Sequence, residues 1–393
     1  MAMHLYPLIQ DLAVILALSS IVSLICQRFR QPIVLGYLIA GVIAGPYTPP
    51  FSLVLDITGV KIWAELGIIF LMFSLGLEFS FRKLLKVGIT AAVTGPLEAF
   101  FMLGVGFATG KFLGWNSTNS IFLGAILSIS STTIIIKALD ELKLKRESFT
   151  QLVFGILIVE DLVGILILAG LSTLADPTGI SGAKLALAAG KLILVVAAWV
   201  FLGLYTVPRL TNKIGRRASD ETLTLVSLGL CLALVAFAAY LHYSAALGAF
   251  IMGALIAESD EIHRIEKLIE PIRNVFAAVF FVSIGMLLNP ADIAKHWAMI
   301  LLVTFLTIVG KLFSTTLGVR LTGHPLPGAI RVGFSLAQIG EFSFIIAGLG
   351  LTLGIMDPAL YSIAVSVSVI TTFTTPYLIR YSGTLAARLS SRA

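Results

Sequence analysis

The chain has 393 residues, of which 12% are charged and 58% hydrophobic, and its mean hydropathy is +1.01. A soluble globular protein carries about 25% charged residues, so a soluble enzyme, a disordered protein and a nucleic-acid binder are excluded. The net charge of +6 first calls for a membrane explanation, in which basic residues mark cytoplasmic loops.

About 20 mainly apolar residues cross the hydrocarbon layer as a helix. The sequence predicts thirteen such helices, and thus an all-α polytopic membrane protein. In chain order they are Pro7–Cys26, Gln31–Pro46, Lys61–Leu77, Lys86–Gly110, Asn119–Leu139, Phe149–Leu174, Ala183–Leu210, Glu221–Leu241, Ala245–Glu258, Leu268–Leu288, Lys295–Leu321, Gly328–Gly354 and Pro358–Tyr381. The second and ninth are short and Gly-rich. The first lacks a basic n-region and a clear cleavage site, so it reads as a span and not as a signal peptide. Cys26 and Cys231 lie in apolar runs and read as packing residues. The longest polar stretch is Glu258 to Arg273.

Twenty-one of the 27 Lys and Arg fall in alternate loops, in the C-terminal tail or, for Lys137, near a helix end. Five (Lys61, Lys111, Lys184, Lys191 and Lys295) fall on the other side, and Lys311 lies within a predicted helix. This asymmetry predicts an odd span number, with the N-terminus outside and the C-terminus in the cytoplasm.

Two helices repeat. Leu35-Gly36-Tyr37-Leu38-Ile39-Ala40-Gly41 in the second span matches Leu247-Gly248-Ala249-Phe250-Ile251-Met252-Gly253 in the ninth, an offset of 212. Phe73-Ser74-Leu75-Gly76-Leu77 matches Val282-Ser283-Ile284-Gly285-Met286 at an offset of 209. The matching spans are seven apart, so the copies run in opposite directions. The expected plan is a single transmembrane domain with repeat 1 at about 1–175, a bridging helix at about 183–210 and repeat 2 at about 221–381.

Ionisable groups inside a bilayer are costly and usually functional. Glu160 and Asp161 lie midway along the sixth span and Lys311 near the middle of the eleventh, a pattern of one paired and one free carboxylate. An ion-pair staple would need one acid alone. Glu65 and Glu98 are weaker candidates. The fifth span carries Ser128-Ile129-Ser130-Ser131-Thr132-Thr133, whose hydroxyls can satisfy an unwound helix. Its repeat mate, the twelfth, carries Gln338, Gly340 and Glu341 and predicts a second break. Broken helices offer carbonyls to cations and amides to anions. Glu341 reads either as a second ionisable site group or as a helix-end residue facing a vestibule.

The motifs Gln31-Pro32-x-x-x-Gly36-Tyr37-x-x-Ala40-Gly41, Phe73-Ser74-x-Gly76-Leu77-Glu78 and Ser130-Ser131-Thr132, with the acidic pair, resemble those of the monovalent cation:proton antiporter-2 family. That family includes Kef-type potassium/proton and Nap-type sodium/proton antiporters. The resemblance implies a dimerisation domain and a mobile core with two crossed, broken helices, and hence a homodimer. It places Asp161 at the ion- and proton-binding position. Glu160 stands where many sodium/proton members have Asp and classical Kef proteins have Gln. Lys311 matches the basic residue of the core, expected to partner Glu160. Kef proteins also carry a cytoplasmic nucleotide-binding regulatory domain. The chain stops at Ala393, so the expectation is that this domain is absent here, with a separate regulatory domain or subunit as a possible partner.

The function expected from these residues and this resemblance is exchange of K+ or Na+ for protons by alternating access, in a bacterial inner membrane. Asp161 would bind cation and proton competitively, aided by Ser130, Ser131, Thr132 and Thr133. The alternatives are a gated potassium efflux pathway, a sodium-coupled organic-anion transporter on a related fold, and a non-transporting sensor. No Ser/His/Asp set, metal-ligand cluster or phosphate loop appears in the sequence, so neither an enzyme nor a cofactor beyond the transported ions is expected.

Overall fold

The computed structural model describes residues 2–29, 33–48, 53–54, 57–79, 88–144, 147–172, 182–241 and 243–390. Every regular element among the described residues is an α-helix. The helices are α1 (Ala2–Phe29), α2 (Ile33–Ala44), α3 (Ile57–Glu78), α4 (Ile89–Phe112), α5 (Ser117–Leu127), α6 (Thr132–Glu141), α7 (Ser148–Ser172) and α8 (Gly182–Gly215). They continue as α9 (Asp220–Tyr240), α10 (Ala245–Ile256), α11 (Ile262–Met286), α12 (Pro290–Lys295), α13 (Trp297–Leu321), α14 (Leu326–Ser335), α15 (Glu341–Thr352) and α16 (Pro358–Ser390). Among the described residues, nine helices are long and apolar enough to cross a membrane. The shorter α2 and α10, and the pairs α5/α6 and α14/α15, overlap the remaining predicted spans. Apolar residues stand far out on several helices, with Leu194 71%, Phe201 79% and Leu225 64% exposed. Water would penalise such faces and hydrocarbon would not.

The helix starts have local causes. Asn116 caps α5 by accepting from the backbone N–H of Asn119 at 2.8 Å, and Ser219 caps α9 through Thr222 at 3.3 Å. These side chains satisfy amides that have no partner within the helix. The polar stretch Glu258–Arg273 is largely helical, forming the early turns of α11. Its buried Ile265 and Ile269 lie one turn apart, which gives this charged segment an apolar stripe to pack.

The chain divides into two compact units, each drawn from two separate segments. The first comprises Met1–Leu85 and Leu168–Leu288, so it holds α1–α3 and α8–α11. Here α3 packs on α10 and α11, and α2 packs on α11. The contacts close to backbone distance at two glycine pairs. A Cβ atom on Gly41 would fall 2.1 Å from the Val282 carbonyl oxygen and 2.8 Å from the Cα of Gly285. A Cβ on Gly285 would fall 2.2 Å from the Leu38 oxygen and 3.0 Å from the Cα of Gly41. Gly76 and Gly253 repeat this relation on the Phe250 and Phe73 oxygens, at 2.3 and 2.2 Å. Only a residue without a side chain lets two helices meet this closely. Around the first pair, Ile15, Ala44, Val60, Val279, Val282 and Met286 form an apolar core.

The second unit comprises Lys86–Ile167 and Asn289–Ala393. In it α4 packs on α5 and α13, and α16 packs on α13, α14 and α15. Glycines again set the spacing. Gly106 would collide with Gly124 at 2.4 Å, Gly310 with Met102 at 2.7 Å and Gly318 with Thr94 at 2.8 Å. A Cβ on Gly95 would lie 2.9 Å from the Val159 side chain. That contact draws α4 onto α7 beside Glu160, and Glu98 follows Gly95 by one turn.

Candidate functional site

The site is built where two helices of the second unit break. Between α5 and α6 the chain leaves helical geometry at Ser128–Ser131, and between α14 and α15 it does so at Leu336–Gly340. A break frees peptide groups that must find new partners when buried. Here each break satisfies the other. The Gly340 N–H donates to the Ile129 carbonyl at 3.3 Å. The Ser131 N–H donates to Oε1 of Gln338 at 3.3 Å, and Nε2 of Gln338 donates back to the Ser131 carbonyl at 3.2 Å. The Ser130 hydroxyl donates to the Leu336 carbonyl at 3.2 Å. Gly340 is required by the approach: a Cβ there would lie 2.5 Å from the Cα of Ser131.

Neighbouring hydroxyls add to this network. Ser343 donates to the Ile126 carbonyl at 2.6 Å and Ser368 to the Ile339 carbonyl at 3.3 Å. Ser130, Ser131, Gln338, Ser343 and Ser368 are all buried.

The two acids of α7 meet the first break at successive residues. The Ser130 N–H donates to Oε2 of Glu160 at 2.9 Å. The Thr132 hydroxyl, at the start of α6, donates to Oδ2 of Asp161 at 3.0 Å. Glu160 is fully buried, whereas Asp161 keeps 8% exposure. Consecutive residues diverge by about 100° on a helix, and the two carboxylates accordingly take different donors. Oε1 of Glu160 is buried with no hydrogen-bonding partner among the described residues.

Lys311 lies on α13 and is fully buried. Its ammonium forms an ion pair with Glu98 of α4 and donates to the Ser130 hydroxyl at 3.0 Å. The expected pairing of Lys311 with Glu160 is therefore corrected: among the described residues its ion-pair partner is Glu98. The physical reason is the close packing of α13 and α4 through Gly310 and Gly318, which sets the lysine against the acid on the facing helix. Glu98 had stood as a weaker candidate. Its signal was its place in an apolar span, which is the same signal that singled out Lys311. Glu65, by contrast, is exposed on α3. The side chains of Thr133 and Glu341 lie outside the described residues.

The sodium/hydrogen exchanger transmembrane family model matches residues 14–380. The chain belongs to this family. It is an integral membrane protein and a monovalent cation/proton antiporter by class, a transporter and not a member of an enzyme family. It is 35% identical over 391 residues to YbaL of Escherichia coli (strain K12), named as a cation/proton antiporter, covering 95% of this chain and 68% of YbaL. It is 32% identical over 379 residues to K(+) efflux antiporter 5 of Arabidopsis thaliana, covering 95% of this chain and 66% of that protein. The chain thus spans about two thirds of the length of these two relatives. The fold matches the solved sodium proton antiporter MjNhaP1 of Methanocaldococcus jannaschii, with a TM-score of 0.78 at 17% identity over 97% of this chain and 98% of that one. The ions moved by this family are its substrates.

Proposed function

We propose that the chain exchanges K+ or Na+ for protons by alternating access, with Asp161 as the group both ions occupy in turn. The observation that carries this reading is a nearly buried carboxylate, Asp161, hydrogen-bonded to Thr132 at the crossing of two broken helices. Deprotonated, it offers one negative charge beside the hydroxyls and carbonyls of Ser130, Ser131 and Thr132. A partly dehydrated monovalent cation needs such an oxygen cage. Protonation removes the charge and releases the cation. Glu160 acts beside it, and its buried Oε1, which accepts no hydrogen bond among the described residues, supplies a second oxygen for cation or proton. Proton and cation compete, so the apparent KM for the cation rises as pH falls.

The two reciprocal glycine pairs support the inverted-repeat reading. Gly41 pairs with Gly285 and Gly76 with Gly253, and the repeat offsets carry Gly41 to Gly253 and Gly76 to Gly285. One contact is the other with the two repeats exchanged. In this reading the first unit is the dimerisation domain of a homodimer and the second is the mobile core. Each unit draws helices from both repeats. The Lys and Arg asymmetry favours an N-terminus outside and a C-terminus in the cytoplasm, where a regulatory domain or subunit would act, and the membrane is taken as a bacterial inner membrane. Gln338 and Gly340 hold the second break, and Glu341 opens α15 beside it.

The test is proton flux in proteoliposomes, titrating Na+, K+, Li+ and Rb+ at several pH values. Saturable, cation-dependent flux that vanishes in Asp161→Asn is expected. Normal exchange by that variant removes the assignment. Cation flux without obligatory proton movement favours the channel-like pathway instead.

A further inference from the structure

Lys311 touches two things: Glu98 on α4 and the Ser130 hydroxyl in the first break. Ser130 links the first break to the rest of the site. Its hydroxyl donates to Leu336 in the second break at 3.2 Å, and its N–H donates to Glu160 on α7 at 2.9 Å. Three other segments, α13, the second break and α7, thus converge on one serine. The lysine is the only charged group placed on its hydroxyl among the described residues. An ammonium can hold a hydroxyl oxygen firmly only if its own charge is balanced, because an unpaired buried charge costs several kcal/mol. Glu98 supplies that balance from α4, where its carboxylate also borders Glu160.

We propose that Glu98 is a positioning residue of the exchange site: it fixes the Lys311 ammonium against Ser130, and so sets where the α5–α6 break presents its oxygens beside Asp161. The same pairing leaves the Glu160 carboxylate free of the lysine, with its Oε2 held by the Ser130 N–H. Glu98 touches neither ion: it acts through Lys311, and its carboxylate also borders that of Glu160. This inference rests on the proposed role of Asp161 for its transport readout, but the pairing can be judged without it.

The experiment is a double-mutant cycle on Glu98→Gln and Lys311→Gln, read as KM and kcat for cation-driven proton flux in proteoliposomes. Glu98→Gln keeps the shape and an acceptor for the lysine but loses the balancing charge. It is expected to raise KM by about 3- to 10-fold and to lower kcat less, as expected when ground-state binding is loosened. In the Lys311→Gln background the same change is expected to have little further effect, because its route of action is gone. Thermal unfolding of the purified variants in detergent, run as the same cycle, reads the coupling even if flux is lost, so a poorly active variant still decides the matter.

Additive effects in both cycles overturn the proposal. So does a Glu98→Gln variant with unchanged KM, or one with an altered proton-to-cation ratio, since the latter makes Glu98 an exchanging group. Failure of the Asp161 reading shows itself elsewhere, as exchange that survives Asp161→Asn while the unfolding cycle remains coupled.

Discussion

Both units of this protein contain helices that touch backbone to backbone at glycine, yet the two use that contact differently. In the first unit, Gly41 on Gly285 and Gly76 on Gly253 press intact helices together, within an apolar core. Each carbonyl at those contacts stays in its own helical ladder. In the second unit, Gly340 on Ser131 joins two interrupted helices. The peptide groups released there are held by Gln338, Ser130, Ser343 and Ser368. Close approach is therefore not what makes a site. The difference lies in whether the ladder is broken, because a broken ladder leaves polar atoms that a small ion can share.

That contrast can be broken most sharply at Asp161. Asp161→Asn is expected to abolish cation-dependent proton flux while leaving the melting temperature in detergent close to the parent's. Next comes Lys311→Ala, which strands Glu98 as a buried unpaired charge; a loss of about 3–5 kcal/mol is expected, seen as a large drop in thermal stability. Gly41→Leu tests the first unit. Its side chain would meet the Val282 carbonyl, so a loss of about 3 kcal/mol is expected, at the upper end for overpacking. The cation KM of whatever protein remains folded should stay near the parent value, and a tenfold change would erase the distinction between the units.

Smaller effects sharpen the comparison. Gln338→Ala removes both bonds to Ser131 and should cost about 1–3 kcal/mol, together with weaker cation binding by calorimetry. The smallest change is expected at Gly229, an exposed position on α9 where an added Cβ meets nothing within 4 Å. Gly229→Ala should stabilise the protein by about 0.5–1 kcal/mol through helix propensity, with no change in flux.

Much of this architecture was legible because a bilayer simplifies the code. Apolar length located the long helices, and mid-span polar residues located the breaks at Ser128–Ser131 and around Gly340. Of the glycines that matched between spans, Gly41, Gly76, Gly253 and Gly285 lie at the close helix contacts of the first unit. What sequence alone could not supply was pairing between distant helices. Nothing local states that Gly310 and Gly318 lay α13 on α4, so the family resemblance points Lys311 to Glu160 and not to Glu98. The helical start of α11 was missed for a related reason. Its charged residues hid the short apolar stripe of Ile265 and Ile269, which becomes informative only once there is a surface to pack against.

The Gln338 side chain deserves a last consequence. Its carbonyl takes the N–H of Ser131 and its amide returns a proton to the carbonyl of the same residue. That is the two-way handshake by which one strand reads another, performed here by a single primary amide between two helices. Glutamate at this position could receive but not give when ionised, and leucine could do neither. The junction is thus selective for one functional group, and an amide-to-acid change there, a single oxygen for nitrogen, would unfasten one half of a clasp that no neighbouring backbone can replace.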